Sequence, residues 1–350
     1  MEKTTRGAEA MEEALGLLAK TGPEYAGRLS NHGPMAAEAL VVLERPDAVV
    51  PWVEKYRRRL YDHPSGGHPI IDAKAWREAL GEGGRVGDWI VFFDRRVEER
   101  PWKDVLAEWV PLLAPGVIAA AFHGVIRTAH AVRSLGARES RARRRELAEG
   151  LGYWAATYEI LPGSPAAAGN RTPLAAMPEV PSLPAERQIH TGNITDRLAP
   201  LDRFPPFVGV INMVDAGGDA SGFISNLTET FAAVYLENVP PGSVITYIHA
   251  VTGPSAIRLL LPHLDTNSQA ALLRYGWQGA AATYAASGGN WSSPAPTPAP
   301  SGDRDDLVDR ALATGDEHAI KFTEACLREH ALNPKPVYLA AASAAVARLG

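Results

Sequence analysis

Gly315-Asp316-Glu317-His318-Ala319-Ile320-Lys321-Phe322-Thr323-Glu324-Ala325 is the stretch from which the chain is best read. A helix start is expected at Asp316 and Glu317, whose acidic side chains suit the unpaired N–H groups and positive dipole end of a first turn. On that helix His318 and Lys321 lie one turn apart on one face. Ile320 and Phe322 beside them turn part of the helix inward. A desolvated ammonium is costly, so burial here would lower the lysine pKa. A neutral lysine amine reacts with carbon dioxide to give a carbamate, which is an oxygen-donor metal ligand. The plainer reading is a solvated lysine on an amphipathic helix, beside a histidine that only packs.

Outward from this stretch, helical spacing recurs along the chain. It covers 303–331 (broken near Gly315) and 335–348 on either side, then 266–286, 244–262, 219–237 and 203–216 upstream. In the N-terminal part it covers 7–21, 36–43 after Pro34, 47–61, 72–80, 87–98 and 102–113. Residues 115–135 are apolar on nearly every face and read as one central buried helix. From 138 a further helix runs towards Tyr153, Trp154 and Tyr158, its basic run Arg141 to Arg145 reading as a solvated face. Strand–helix alternation is lacking. The expected fold is all-α, a large helical bundle-like assembly with long proline-rich connections. Residues 161–190 hold six prolines and no period. They separate either two halves, 1–160 and 191–350, or two parts of one domain spanning 1–350. Residues 62–69 read as a loop, and the Pro-Ala-Thr repeat at 294–300 as a surface linker.

Composition narrows the function. The 350 residues carry a net charge of −5, which argues against a nucleic-acid partner, whose footprint would be strongly basic. Hydrophobic residues at 46% and charged residues at 21% fit a globular chain. No apolar run reaches the roughly 18 residues of a membrane span, and the start lacks the apolar core of a signal peptide. The lone Cys326 excludes an internal disulfide, so a reducing, cytoplasmic setting is expected. Cys326 also lacks surroundings that would activate it as a nucleophile.

Signatures for dinucleotides, P-loops, zinc proteases and serine hydrolases are missing. Histidine carries the information. Of ten, six lie in or beside apolar helical segments: His32, His123, His130, His249, His263 and His318. A single such histidine usually packs, but several in one all-α core fit a metal site built from facing helices. His123 and His130 are about 10.5 Å apart along a helix axis, so only His123 is expected to bind the ion directly. Arg127 and His130, on the same stripe, are then candidate catalytic or substrate-facing groups. His263, at a helix end, and the loop residues His63 and His68 are weaker candidates. Imidazole suits Zn, Cu, Fe or Ni, while open positions beside His and one carboxylate-type oxygen favour non-haem Fe(II).

Ser30-Asn31-His32, Phe122-His123-Gly124-Val125-Ile126, His249-Ala250-Val251-Thr252 and Asp316-Glu317-His318-Ala319-Ile320-Lys321, in that order, resemble the questin oxidase family. The resemblance spreads from about residue 25 to 345. That family includes fungal enzymes that oxidatively open the quinone ring of anthraquinones, formerly described as Baeyer–Villiger-type oxidases. It implies a non-haem iron held by four histidines and a carboxylated lysine, which here would be His32, His123, His249, His318 and Lys321. After His123 this sequence departs from the fungal pattern, with Gly124 and Arg127 in place of a proline and a second histidine. Metal binding survives that change, whereas anthraquinone specificity does not follow.

The expectation is an Fe(II)-dependent oxygenase that uses O2 to cleave a ring of a small aromatic substrate. Whether NADPH is needed, and the oligomeric state, are left open. Trp277 and Tyr247 are candidate covers for a flat substrate, with core packing as their ordinary role. Two other classes are carried beside this one: a zinc hydrolase built on a carbamylated lysine, and a non-catalytic helical ligand-binding protein.

Overall fold

The computed structural model describes residues 2–64, 71–166, 169–239, 242–291, 293–294, 297–298 and 302–350. His68 and most of the Pro-Ala-Thr repeat lie outside them. The fold is all-α, 71% helical, with one two-stranded sheet among the described residues. It divides into two compact units, Met1–Glu159 and Ile160–Gly350.

The first unit opens with α1 (Glu2–Leu18) and a short antiparallel hairpin, β1 (Glu24–Tyr25) and β2 (Leu29–Ser30), which the sequence reading did not anticipate. Helices α2 (Gly33–Val42), α3 (Pro46–Tyr56), α4 (Val86–Glu99), α5 (Trp102–Leu113), α6 (His123–Ala137) and α7 (Arg141–Ala156) follow. Proline in the first turn starts both α2 and α3, where its missing N–H is no loss. The core centres on Trp89, Phe92, Phe93 and Trp109, whose rings meet mostly edge to face at 4.9–6.2 Å.

Three expectations are corrected in this unit. Residues 115–135 are not one helix. A 3-10 turn at Ala114–Gly116 is followed by Ala120, Ala121 and Phe122 with φ of 46°, 57° and 70°, and α6 begins only at His123. Three consecutive non-glycine residues in the left-handed region are strained at about 1–2 kcal/mol each. Residues 72–80 form only a 3-10 turn at Trp76–Ala79, where packing of Trp76 on Trp109 overrides helix propensity. Within the basic run Arg141 to Arg145, Arg143 is buried rather than solvated. It donates to Glu12 at 2.8 Å and to the Ser134 carbonyl at 2.7 Å.

In the second unit, α8 (Pro173–Ala176) and α9 (Ile194–Leu198) are short. Helices α10 (Ala220–Asn238), α11 (Val244–Leu260), α12 (Thr266–Ala286), α13 (Arg304–Thr314), α14 (Glu317–Leu332) and α15 (Pro336–Leu349) form its body. The proline-rich stretch 161–190 is part of this unit and not a free connection, since Ala176, Met177, Val180 and Leu183 are buried in it. Residues 203–216 form 3-10 turns instead of an α-helix, and the Val210 carbonyl within them accepts from Trp277 Nε1 at 2.8 Å. Asp219, Asp265, Asp303 and Asp316 each cap a helix start with a side-chain oxygen. Val244–His263 is, among the described residues, the one helical stretch long and apolar enough to cross a membrane. Most of it is buried inside the unit, as a core helix is.

Candidate functional site

Each unit brings two of the sequence-marked histidines together. In the first, His32 and His123 stack with ring centroids 4.5 Å apart and an interplanar angle of 29°. His32 immediately precedes α2, and every residue around it is pinned. Asn31 accepts from the Gly33 N–H at 2.9 Å and donates to the Gly22 carbonyl at 2.8 Å. The His32 N–H donates to the Tyr56 hydroxyl at 2.7 Å, and the hydroxyls of Ser30 and Tyr153 share a hydrogen bond of 2.8 Å. A Cβ at Gly33 would meet a Leu18 side-chain methyl at 2.9 Å, so glycine leaves that side chain room.

His123 is the first residue of α6. Its Nδ1 meets the carbonyl oxygen of Ala120, in the left-handed turn. A carbonyl can only accept, so Nδ1 carries the hydrogen, and in the neutral ring the lone pair is then on Nε2. Gly124 next to it has no side chain to clash: a Cβ would lie 2.7 Å from the Trp154 backbone of α7.

Arg127 and His130 extend down α6 from His123, and both meet carboxylates. Arg127 is buried and donates from Nε and Nη2 to the two oxygens of Glu146 at 2.7 and 2.9 Å. Burial works against its charge, but Glu146 and Glu149 outweigh it and hold its pKa above the ordinary value. His130 Nδ1 lies 2.7 Å from Glu38 of α2. His63 is tied at both ring nitrogens, to Glu149 at 2.8 Å and to the Pro64 carbonyl at 2.9 Å, which leaves no lone pair for a metal.

In the second unit, His249 of α11 and His318 of α14 meet edge to face at 5.5 Å. His249 repeats the arrangement of His123: Nδ1 lies 2.7 Å from the Ile245 carbonyl, one turn earlier, which leaves Nε2 as the lone-pair nitrogen. Asp316 caps α14, accepting from the His318 N–H at 2.7 Å and the Ala319 N–H at 3.2 Å. Gly315, at φ 68°, ends α13 and allows the sharp change of direction just before it.

Lys321 is buried, one turn beyond His318. Desolvation lowers its pKa to about 8, against the opposing pull of Glu317 and Asp316. Glu317 is itself buried and was not marked as a functional residue in the sequence. Its signal was the spacing to Lys321, an i,i+4 acid–base pair on an inward face. Trp277 and Tyr247 are core residues: both are fully buried, and Trp277 donates to the Val210 carbonyl at 2.8 Å. His263 ends a 3-10 turn after α11, apart from the His249–His318 pair. Cys326 is buried and its thiol is pushed well up by desolvation, which removes it as a nucleophile.

This combination defines an all-helical protein with paired, tautomer-fixed histidines and a buried lysine. Residues 51–203 match the family described as Questin oxidase-like, the family that the ordered motifs resemble. The matched segment holds His123, Arg127 and His130. The match covers less than half of the chain, and the family it names suggests an oxidoreductase of the oxygenase type. A search of curated proteins found no match to the chain.

Proposed function

We propose that the chain is a non-haem Fe(II) oxygenase that uses O2 to cleave a ring of an aromatic polyketide or quinone-type substrate. Its ligands would be His32, His123, His249, His318 and Lys321 as a carbamate. The observation that carries this reading is Lys321, a lysine buried one turn from a histidine with its amine pKa lowered to about 8. Such an amine is neutral far more often near pH 7.5 than an exposed lysine. The neutral amine nitrogen can add to the carbon of CO2 with loss of one proton, which makes the buried lysine an anionic oxygen donor.

Donors of these types suit iron. The carbonyls of Ala120 and Ile245 hold His123 and His249 in the tautomer that presents Nε2, as supporting contacts to metal-binding histidines commonly do. Neutral imidazoles with one anionic oxygen donor suit Fe(II). Iron bound there would supply the redox chemistry with O2, and the protein residues would fix its position and charge. The buried Arg127–Glu146 pair compensates the charge of Arg127, one turn along α6 from His123.

The test is oxygen uptake by the iron-loaded protein with polyhydroxylated anthraquinones, with and without NADPH. Substrate loss in step with O2 consumption, giving a ring-opened product that has gained oxygen, is expected. Product formed without O2 by the zinc-loaded protein would replace this reading with the hydrolase.

A further inference from the structure

Glu38 is the one charged side chain of α2, whose sequence is GPMAAEALVV, and it is buried. An apolar residue there would pack without the desolvation penalty that a carboxylate carries. Both carboxylate oxygens are engaged within the unit. Oε2 accepts from His130 Nδ1 at 2.7 Å and from Arg133 Nη2, and Oε1 accepts from Arg133 Nε at 2.7 Å. Burial works to raise the Glu38 pKa, but Arg133 and His130 outweigh it and hold the carboxyl below its ordinary value.

Residues 33 to 40 of α2 are all buried, so the helix is apolar around its circumference. Hydrophobic contact alone specifies the rotation and sliding of such a helix weakly. A charged, directional hydrogen bond specifies both. The placement is matched on the two helices. Glu38 follows His32 by six residues and His130 follows His123 by seven, rises of about 9 and 10.5 Å along their axes. The helices α2 and α6 are therefore tied twice about two turns apart, by the histidine stack at their starts and by the carboxylate bridge further along.

We infer that Glu38 and His130, with Arg133, are positioning residues: their bridge sets the register of α2 on α6 and so holds His32 against His123. The inference rests on the proposed role of these two histidines as ligands, but its first readout needs no metal.

The experiment is NMR of the metal-free protein labelled with 15N-histidine, with His32 and His123 assigned by substitution to Gln. Wild type, Glu38→Leu, Glu38→Gln and His130→Phe are compared, together with iron affinity by chelator competition and melting temperature. Glu38→Leu and His130→Phe are expected to move both ring signals and to weaken iron binding by roughly 10–100-fold, the usual scale for a lost supporting contact. Glu38→Gln, which keeps an oxygen for the His130 N–H, is expected to stay near wild type. Should Glu38→Leu fail to fold, His130→Phe decides, since Glu38 keeps its pair with Arg133. Unchanged ring signals and iron affinity in a folded His130→Phe would overturn the inference. Ring signals that move in a protein whose wild type takes no iron would uphold the positioning role and remove the iron reading instead.

Discussion

The Nδ1 of His249 lies 2.7 Å from the carbonyl oxygen of Ile245, and the ring thereby presents Nε2 as its lone-pair nitrogen. His63 has one ring nitrogen on Glu149 and the other on the Pro64 carbonyl. His249→Ala is expected to weaken iron binding by more than the roughly 10–100-fold seen when only a supporting contact is lost. His63→Ala is expected to leave it unchanged. Chelator competition on the two variants measures this, and equal losses would remove the distinction between them.

The His63–Glu149 pair has a pH window. Glu149 raises the His63 pKa, so that contribution is present below the ordinary value of 6.5 and is lost as pH rises through the folded value. Although burial works the other way, His63 and Arg127 hold Glu149 below its ordinary 4.5, so its contribution is lost only in acid. The stability difference between wild type and His63→Phe should therefore be largest near pH 5.5 and shrink towards pH 8. Thermal melts across that range test this; a difference growing with pH contradicts it.

In the left-handed turn before α6, Ala120 has φ 46°. Glycine adopts that region without strain, whereas Ala→Gly in a helix interior costs about 1 kcal/mol. Ala120→Gly is expected to be neutral or to stabilise by up to about 1 kcal/mol. A loss of that size in denaturant melts would mean that the residue is helical in solution.

Glu329 is fully buried in the second unit, where Arg258, Arg328 and Ser255 all donate to it. Removing one member of such a network typically costs about 3–5 kcal/mol. Glu329→Ala should lower the melting temperature markedly, whereas Glu186→Ala on the surface should not.

The legible parts of the fold were those with strong local signals. The helices 102–113 and 266–286 were read at their true ends because their periodicity is regular and Asp265 caps the second. Asp316 likewise announced α14, which put His318 and Lys321 on one inward face. The left-handed turn was not legible, since Ala120-Ala121-Phe122 has ordinary helical composition and only tertiary packing holds it. The Glu38–His130 bridge was not legible, since residues 36–43 read only as an apolar helical segment. Its two members lie 92 residues apart, and no local pattern connects them.

Metal analysis of anaerobically purified wild-type protein and of Lys321→Ala tests the central claim most directly. One iron per chain in the wild type, lost in the variant, is the expected result. Full iron occupancy in Lys321→Ala would contradict the carbamate ligand, and zinc or no metal in the wild type, even after iron reconstitution, would contradict the oxygenase.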